Sequence, residues 1–130
     1  MPRTPLDELL RALAASEPGS DAAQSMDDIA AWRRRIDAID RVLLALLNER
    51  ARAANVIGHV KKRLGLPVYV PNREEQVLRQ VREANAGPLN DRAVTHLFER
   101  IIDETRSLER QKYQDEESDT RPGRTAPDSP

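Results

Sequence analysis

The chain has 130 residues, a formal net charge of −1, no cysteine and four aromatic side chains: Trp32, Tyr69, Phe98 and Tyr113. Charged residues at 33% and hydrophobic residues at 38% predict a single domain of long amphipathic helices rather than sheets. Disulfides and thiolate metal sites are excluded, no apolar run reaches membrane-span length, and the aromatics are too few for a base-stacking, nucleic-acid-binding surface. The charge is uneven, with net −2 over residues 1–25, +4 over 26–112 and −3 over 113–130. A mildly cationic middle on charge alone suits a small polyanionic ligand as well as it suits nucleic acid. Asp7 and Glu8 stand where a signal peptide would carry a basic and then an apolar region, so a cytoplasmic location is the expectation.

Residues 1–24 read as an extension. Thr4 and Asp7 form a capping box, Pro5 takes the first helical position, and Leu6, Leu9, Leu10 and Leu13 share one face of a short helix. Residues 16–24 follow as a linker. A second capping box, Ser25 with Asp28, opens a helix that runs to Leu64 and is stopped by Gly65, with Pro67 beyond. At ~1.5 Å per residue it is roughly 60 Å long. Its heptad positions read Ile36, Ile39, Leu43, Leu46, Arg50, Ala53, Ile57, Val60, Leu64. After a loop at 65–71, a second helix is predicted from about Asn72 to Asn85 and is broken by Gly87-Pro88. A third begins near Asn90, a good N-cap, with Val94, Leu97, Phe98, Ile101, Ile102, Thr105 and Leu108 on one face. From Tyr113 the composition turns to Asp, Glu, Pro, Ser and Gly and predicts a disordered acidic tail, 113–130.

A helix of roughly 60 Å is longer than a compact domain of ~90 residues is wide. Two shorter helices cannot cover its apolar seam, and an uncovered seam invites aggregation unless a second chain packs there. The expectation is an all-α fold: a three-helix protomer over residues 25–112 with one very long N-terminal helix, in an intertwined homodimer.

Arg50 occupies a seam position where a hydrophobe belongs. A buried cation is unfavourable unless an anion meets it. Lys61, eleven residues on, points within about 20° of Arg50 with Cα atoms ~16 Å apart, so the two long side chains can converge on one small ligand. Arg33 lies 28 residues, or ~42 Å, from Lys61 on the same helix and can reach such a ligand only on the partner chain of an antiparallel pair. Blander readings stand beside these. The triplet Arg33-Arg34-Arg35 is ordinarily solvated, Lys61-Lys62-Arg63 suits a helix C-terminus, and an arginine can snorkel from a seam. Arg73 and Glu74 can be plain first-turn residues, Thr105 a helix back-bonder, and Glu109 a surface carboxylate. His59 and His96 lack a second ligand at metal spacing, so no metal is expected.

Taken together, Trp32-Arg33-Arg34-Arg35-Ile36-Asp37-Ala38-Ile39-Asp40, Leu46-Leu47-Asn48-Glu49-Arg50, Ile57-Gly58-His59-Val60-Lys61, Pro67-Val68-Tyr69-Val70-Pro71-Asn72-Arg73-Glu74, and Phe98-Glu99-Arg100-Ile101-Ile102 with Thr105 resemble the all-helical chorismate mutases over about residues 27–111. The resemblance implies an intertwined dimer of three-helix protomers that rearranges chorismate to prephenate, on the route to phenylalanine and tyrosine, without a cofactor. It implies that Arg50 and Arg73 of one chain and Arg33 of the other clamp the two substrate carboxylates. Lys61 and Glu109 would flank the ether oxygen, Glu74 would take the ring hydroxyl with help from the backbone near Val70, and Thr105 would line the carboxylate end. Val70 stands where aspartate is frequent in the family, and Glu109 where some members have glutamine. Two alternatives remain at the level of sequence. One is an isochorismate pyruvate lyase on the same scaffold. The other is a regulatory mutase-like module that binds a shikimate-pathway enzyme through the N-terminal segment or the acidic tail.

Overall fold

The computed structural model describes residues 5–18, 25–67 and 69–120, with side chains through Lys112. Four helices appear in chain order: α1 (Leu6–Ala15), α2 (Met26–Leu64), α3 (Pro71–Ala84) and α4 (Asp91–Thr120). No strand occurs among the described residues, so the chain is all-α. The chain divides into two units, the first ending at Arg50 and the second beginning at Ala51.

The first unit holds α1 and the leading part of α2. Thr4 of the expected capping box lies outside the described residues, and Pro5 sits at the N-cap rather than the first helical position. Its carbonyl accepts the Leu9 N–H at 3.2 Å, while Asp7 and Glu8 face the positive end of the helix dipole. At the other end, the Leu13 carbonyl accepts from Ser16 N–H at 3.2 Å and from Ser16 Oγ at 2.7 Å. Arg35 of α2 also donates to that carbonyl, through Nη1. Arg35 lies 3.8 Å from Glu17 as well. A cation at the C-terminal end of α1 is favourable to the dipole and ties α1 to α2. On α2, Ser25 and Asp28 cap each other reciprocally: Ser25 N–H donates to Asp28 Oδ2 at 3.1 Å and Asp28 N–H to Ser25 Oγ at 3.4 Å. Ala38 and Val42 are buried. The predicted seam residues Ile36, Ile39, Leu43 and Leu46 are all exposed, Leu43 by 54%.

The second unit holds the rest of α2, α3 and α4. The seam remains open here too, with Ile57 54% and Leu64 67% exposed. α2 ends in a Schellman motif: Leu66 N–H bonds to Lys61 O at 2.8 Å and Gly65 N–H to Lys62 O at 3.3 Å, with Gly65 at φ +68°, a conformation glycine adopts without Cβ strain. α3 starts at Pro71, whose fixed φ suits a first helical position and whose missing N–H leaves no bond unmade. It ends at Ala84, and Asn85 organises the turn by donating to Leu89 O at 2.8 Å and to Asp91 Oδ1 at 2.9 Å. Asn90 caps α4, accepting Ala93 N–H on Oδ1 at 2.8 Å. Val94 is buried, and α3 packs against α4.

α4 departs from expectation at its far end. It continues to Thr120 rather than giving way to a disordered tail at Tyr113. The physical reason lies in residues 111–117 (Gln-Lys-Tyr-Gln-Asp-Glu-Glu), which are mostly good helix formers, with no Gly or Pro until Pro122. Residues 121–130 lie outside the described set.

Candidate functional site

Lys61 occupies the last turn of α2 and is half-buried. Glu109 of α4 reaches the same stretch of α2. A methyl group on Gly58 would stand 3.7 Å from Glu109 Cγ and 3.9 Å from Oε2. Gly58 and Lys61 are three residues apart and therefore neighbours on one helix face. The Glu109 side chain therefore lies within ordinary contact of this face, and an ammonium-bearing residue and a half-buried carboxylate share one helix crossing. Thr105 is one turn before Glu109 on α4, and its Oγ1 donates to Ile101 O at 2.8 Å, the back-bonding expected of a threonine inside a helix.

α3 contributes differently. The Val70 carbonyl accepts the N–H groups of Arg73 and Glu74 at 3.1 and 3.4 Å and so fixes the first turn. Arg73 is exposed, and its Nη1 donates to Gln76 Oε1 at 2.7 Å along its own helix. Glu74, one position on, is half-buried and pairs with Arg106 Nη2 of α4. Arg106 also lies 3.9 Å from Asp103 Oδ1, and its guanidinium carbon is 4.5 Å from the centroid of the Tyr69 ring. Neither Arg106 nor Tyr69 emerged as a site residue from the sequence. The signal was present in one case: Arg106 falls four residues after Ile102 and three before Glu109, on the covered stripe of α4, much as Arg50 falls in the seam of α2.

The structure thus brings Lys61 and Glu109 to one crossing and Glu74 to a cluster with Arg106 and Tyr69, and leaves Arg73 engaged within α3. In the first unit, Arg50 is half-buried although its seam neighbours are exposed, and Arg33 is exposed. Among the described residues no group of three His, Cys, Asp or Glu could hold a metal ion, and no helix is long and apolar enough to cross a membrane.

An all-helical domain carrying cations and carboxylates on facing helices is the class that this geometry defines. Residues 32–110 match the family described as chorismate mutase type II, and the chain belongs to that family. It is 39% identical over 89 residues to a bifunctional chorismate mutase/prephenate dehydratase of Aquifex aeolicus, a match covering 65% of this chain and 25% of that protein. It is 26% identical over 87 residues to a chorismate mutase of Methanocaldococcus jannaschii, covering 66% of this chain and 88% of that one. The solved structure of chorismate mutase (form II) from Thermus thermophilus superposes with a TM-score of 0.62 at 39% identity, over 63% of this chain and 93% of that one. The chain spans about a quarter of the length of the bifunctional relatives it matches.

Proposed function

We propose that this chain rearranges chorismate to prephenate. The observation that carries the reading is the match of residues 32–110 to the type II family, and the crossing of α4 over Gly58 beside Lys61 supports it. The reaction is unimolecular. It asks for a chair-like conformer and for stabilisation of the charge that develops on the breaking ether oxygen. Arg50 and Arg73 with the partner's Arg33 grip the two carboxylates through bidentate guanidinium contacts, which supplies orientation. Lys61 and Glu109 meet the ether oxygen, and the ammonium supplies preorganised positive charge there. Glu74 accepts the ring hydroxyl beside Val70, and Thr105 lines the carboxylate end. In this reading Arg73 exchanges Gln76 for a substrate carboxylate.

The working form is a homodimer closed over the α2 seam. Buried apolar side chains in the described chain are few (Ala38, Val42 and Val94), while the long seam of α2 stays open. That balance is too poor for a stable lone protomer and favours a partner of the same sequence. Relatives that join a chorismate mutase to a prephenate dehydratase in one chain support an enzyme that consumes prephenate as a further partner.

The test is incubation of pure protein with chorismate and, separately, isochorismate. Prephenate from the first and no salicylate from the second is the expected result, with Lys61→Ala lowering kcat/KM by ~10²–10³-fold. Salicylate release, or an inert protein, overturns the reading.

A further inference from the structure

Arg106 links three segments that the mutase reading treats separately. Its guanidinium lies under the Tyr69 ring, which belongs to the loop before α3. It pairs with Glu74 in the first turn of α3, and it is carried by α4 one residue after Thr105 and three before Glu109. The two side chains of the ion pair are about three-quarters covered, 24% exposed for Arg106 and 26% for Glu74, and Glu74 Oε1 is sealed from solvent. A carboxylate oxygen shut away from water is unfavourable unless a cation meets it, and Arg106 is that cation.

From this juxtaposition we propose that Arg106 is a positioning residue for substrate: it holds one oxygen of Glu74 so that the other is aimed at the ring hydroxyl, and the Tyr69 ring holds Arg106. This rests on the mutase reading above. A carboxylate has two oxygens and about four acceptor sites, so engagement by Arg106 leaves capacity for an alcohol donor. A free glutamate in the first turn of a helix would otherwise spread over several rotamers, and ordering it would weaken ground-state binding. Planar stacking of a guanidinium on an aromatic face suits arginine and is poorly reproduced by lysine. The role acts through Glu74 and on binding, so it differs from that of Lys61, which acts on the breaking bond.

The experiment is steady-state kinetics of the full chain on chorismate for wild type, Arg106→Gln, Arg106→Lys, Glu74→Gln and the double variant Arg106→Gln/Glu74→Gln, with circular dichroism and Tm on each. Arg106→Gln is expected to raise KM about tenfold, the scale of a hydrogen bond to a charged group, with kcat within about twofold. Arg106→Lys recovers part of the loss. The double variant is no worse than Glu74→Gln alone, because the two residues act in series. Tyr69→Ala follows Arg106→Gln in KM while Tyr69→Phe does not, and this second pair carries the test if Arg106→Gln fails to fold. An unchanged KM in Arg106→Gln, or in Tyr69→Ala where that pair stands in, overturns the assignment, as do multiplying effects in the double variant or a loss that tracks Tm alone. A wild type inert toward chorismate overturns the mutase reading itself and takes this assignment with it.

Discussion

Leu43 offers a quantitative handle on the proposed dimer. In the protomer it keeps 54% of its surface exposed. Full burial of a leucine side chain stabilises by about 1.5–3 kcal/mol, so covering the remaining half contributes ~1–1.5 kcal/mol per chain. A symmetric interface counts each residue twice, which gives ~2–3 kcal/mol per dimer. Leu43→Ala is therefore expected to raise the dimer Kd by one to two decades at about 1.4 kcal/mol per decade. Leu43→Glu, which sets a carboxylate against an apolar partner, should prevent association at micromolar concentration. Sedimentation equilibrium across a thousandfold concentration range, with circular dichroism at each point, reads both the mass and the fold. Because the lone protomer buries so little, helix content should fall together with mass. A wild type that stays folded, active and monomeric throughout refutes the reasoning, as does an association constant indifferent to Leu43→Ala.

If Arg33 serves the partner's site, mixing inactive Arg33→Ala with inactive Lys61→Ala after verified subunit exchange restores activity through heterodimers with one intact site; no recovery counts against shared sites. An ether oxygen only accepts hydrogen bonds, so if Glu109 meets it as proposed, the carboxyl helps when protonated and repels developing negative charge when ionised. Turnover should therefore fall as pH rises through the ionisation of Glu109 in the complex, and Glu109→Gln, which donates at every pH, should flatten that fall in a kcat–pH profile. At Gly58 a methyl would meet Glu109 at ordinary contact distance, so Gly58→Ala should raise stability by about 0.5–1 kcal/mol through helix propensity. Gly58→Leu, by contrast, should push the carboxylate aside and lower kcat without unfolding the protein, measured by Tm and turnover together.

The features of α2 were legible because they are local. Ser25 with Asp28 and Gly65 are backbone devices that work wherever they occur, and they bound the helix where the sequence placed them. The heptad of apolar residues was equally plain, and most of it stays exposed in the protomer. Arg106 was hidden because its meaning depends on Tyr69 and Glu74, 37 and 32 residues away in the chain. Periodicity along one helix cannot report a partner on another. The end of α4 differs from its composition for another reason: the helix propensity of Gln, Glu and Lys carries the helix to Thr120 through an acidic, Ser-containing stretch that by composition alone predicts a tail. Arg73 shows a further limit, since its hydrogen bond to Gln76 is a choice of rotamer that no sequence pattern encodes.

The cap at the end of α2 bears on how firmly Lys61 is held. Helix ends fray, with opening free energies near zero in a terminal turn, and Lys61 stands in such a turn. Its own carbonyl receives the Leu66 N–H, a bond that exists only while Gly65 stays left-handed. The ammonium thus inherits its rigidity from a residue with no side chain. Replacing Gly65 by a β-branched residue would leave every charged group in place and still loosen the ammonium that the proposed mechanism sets against the ether oxygen.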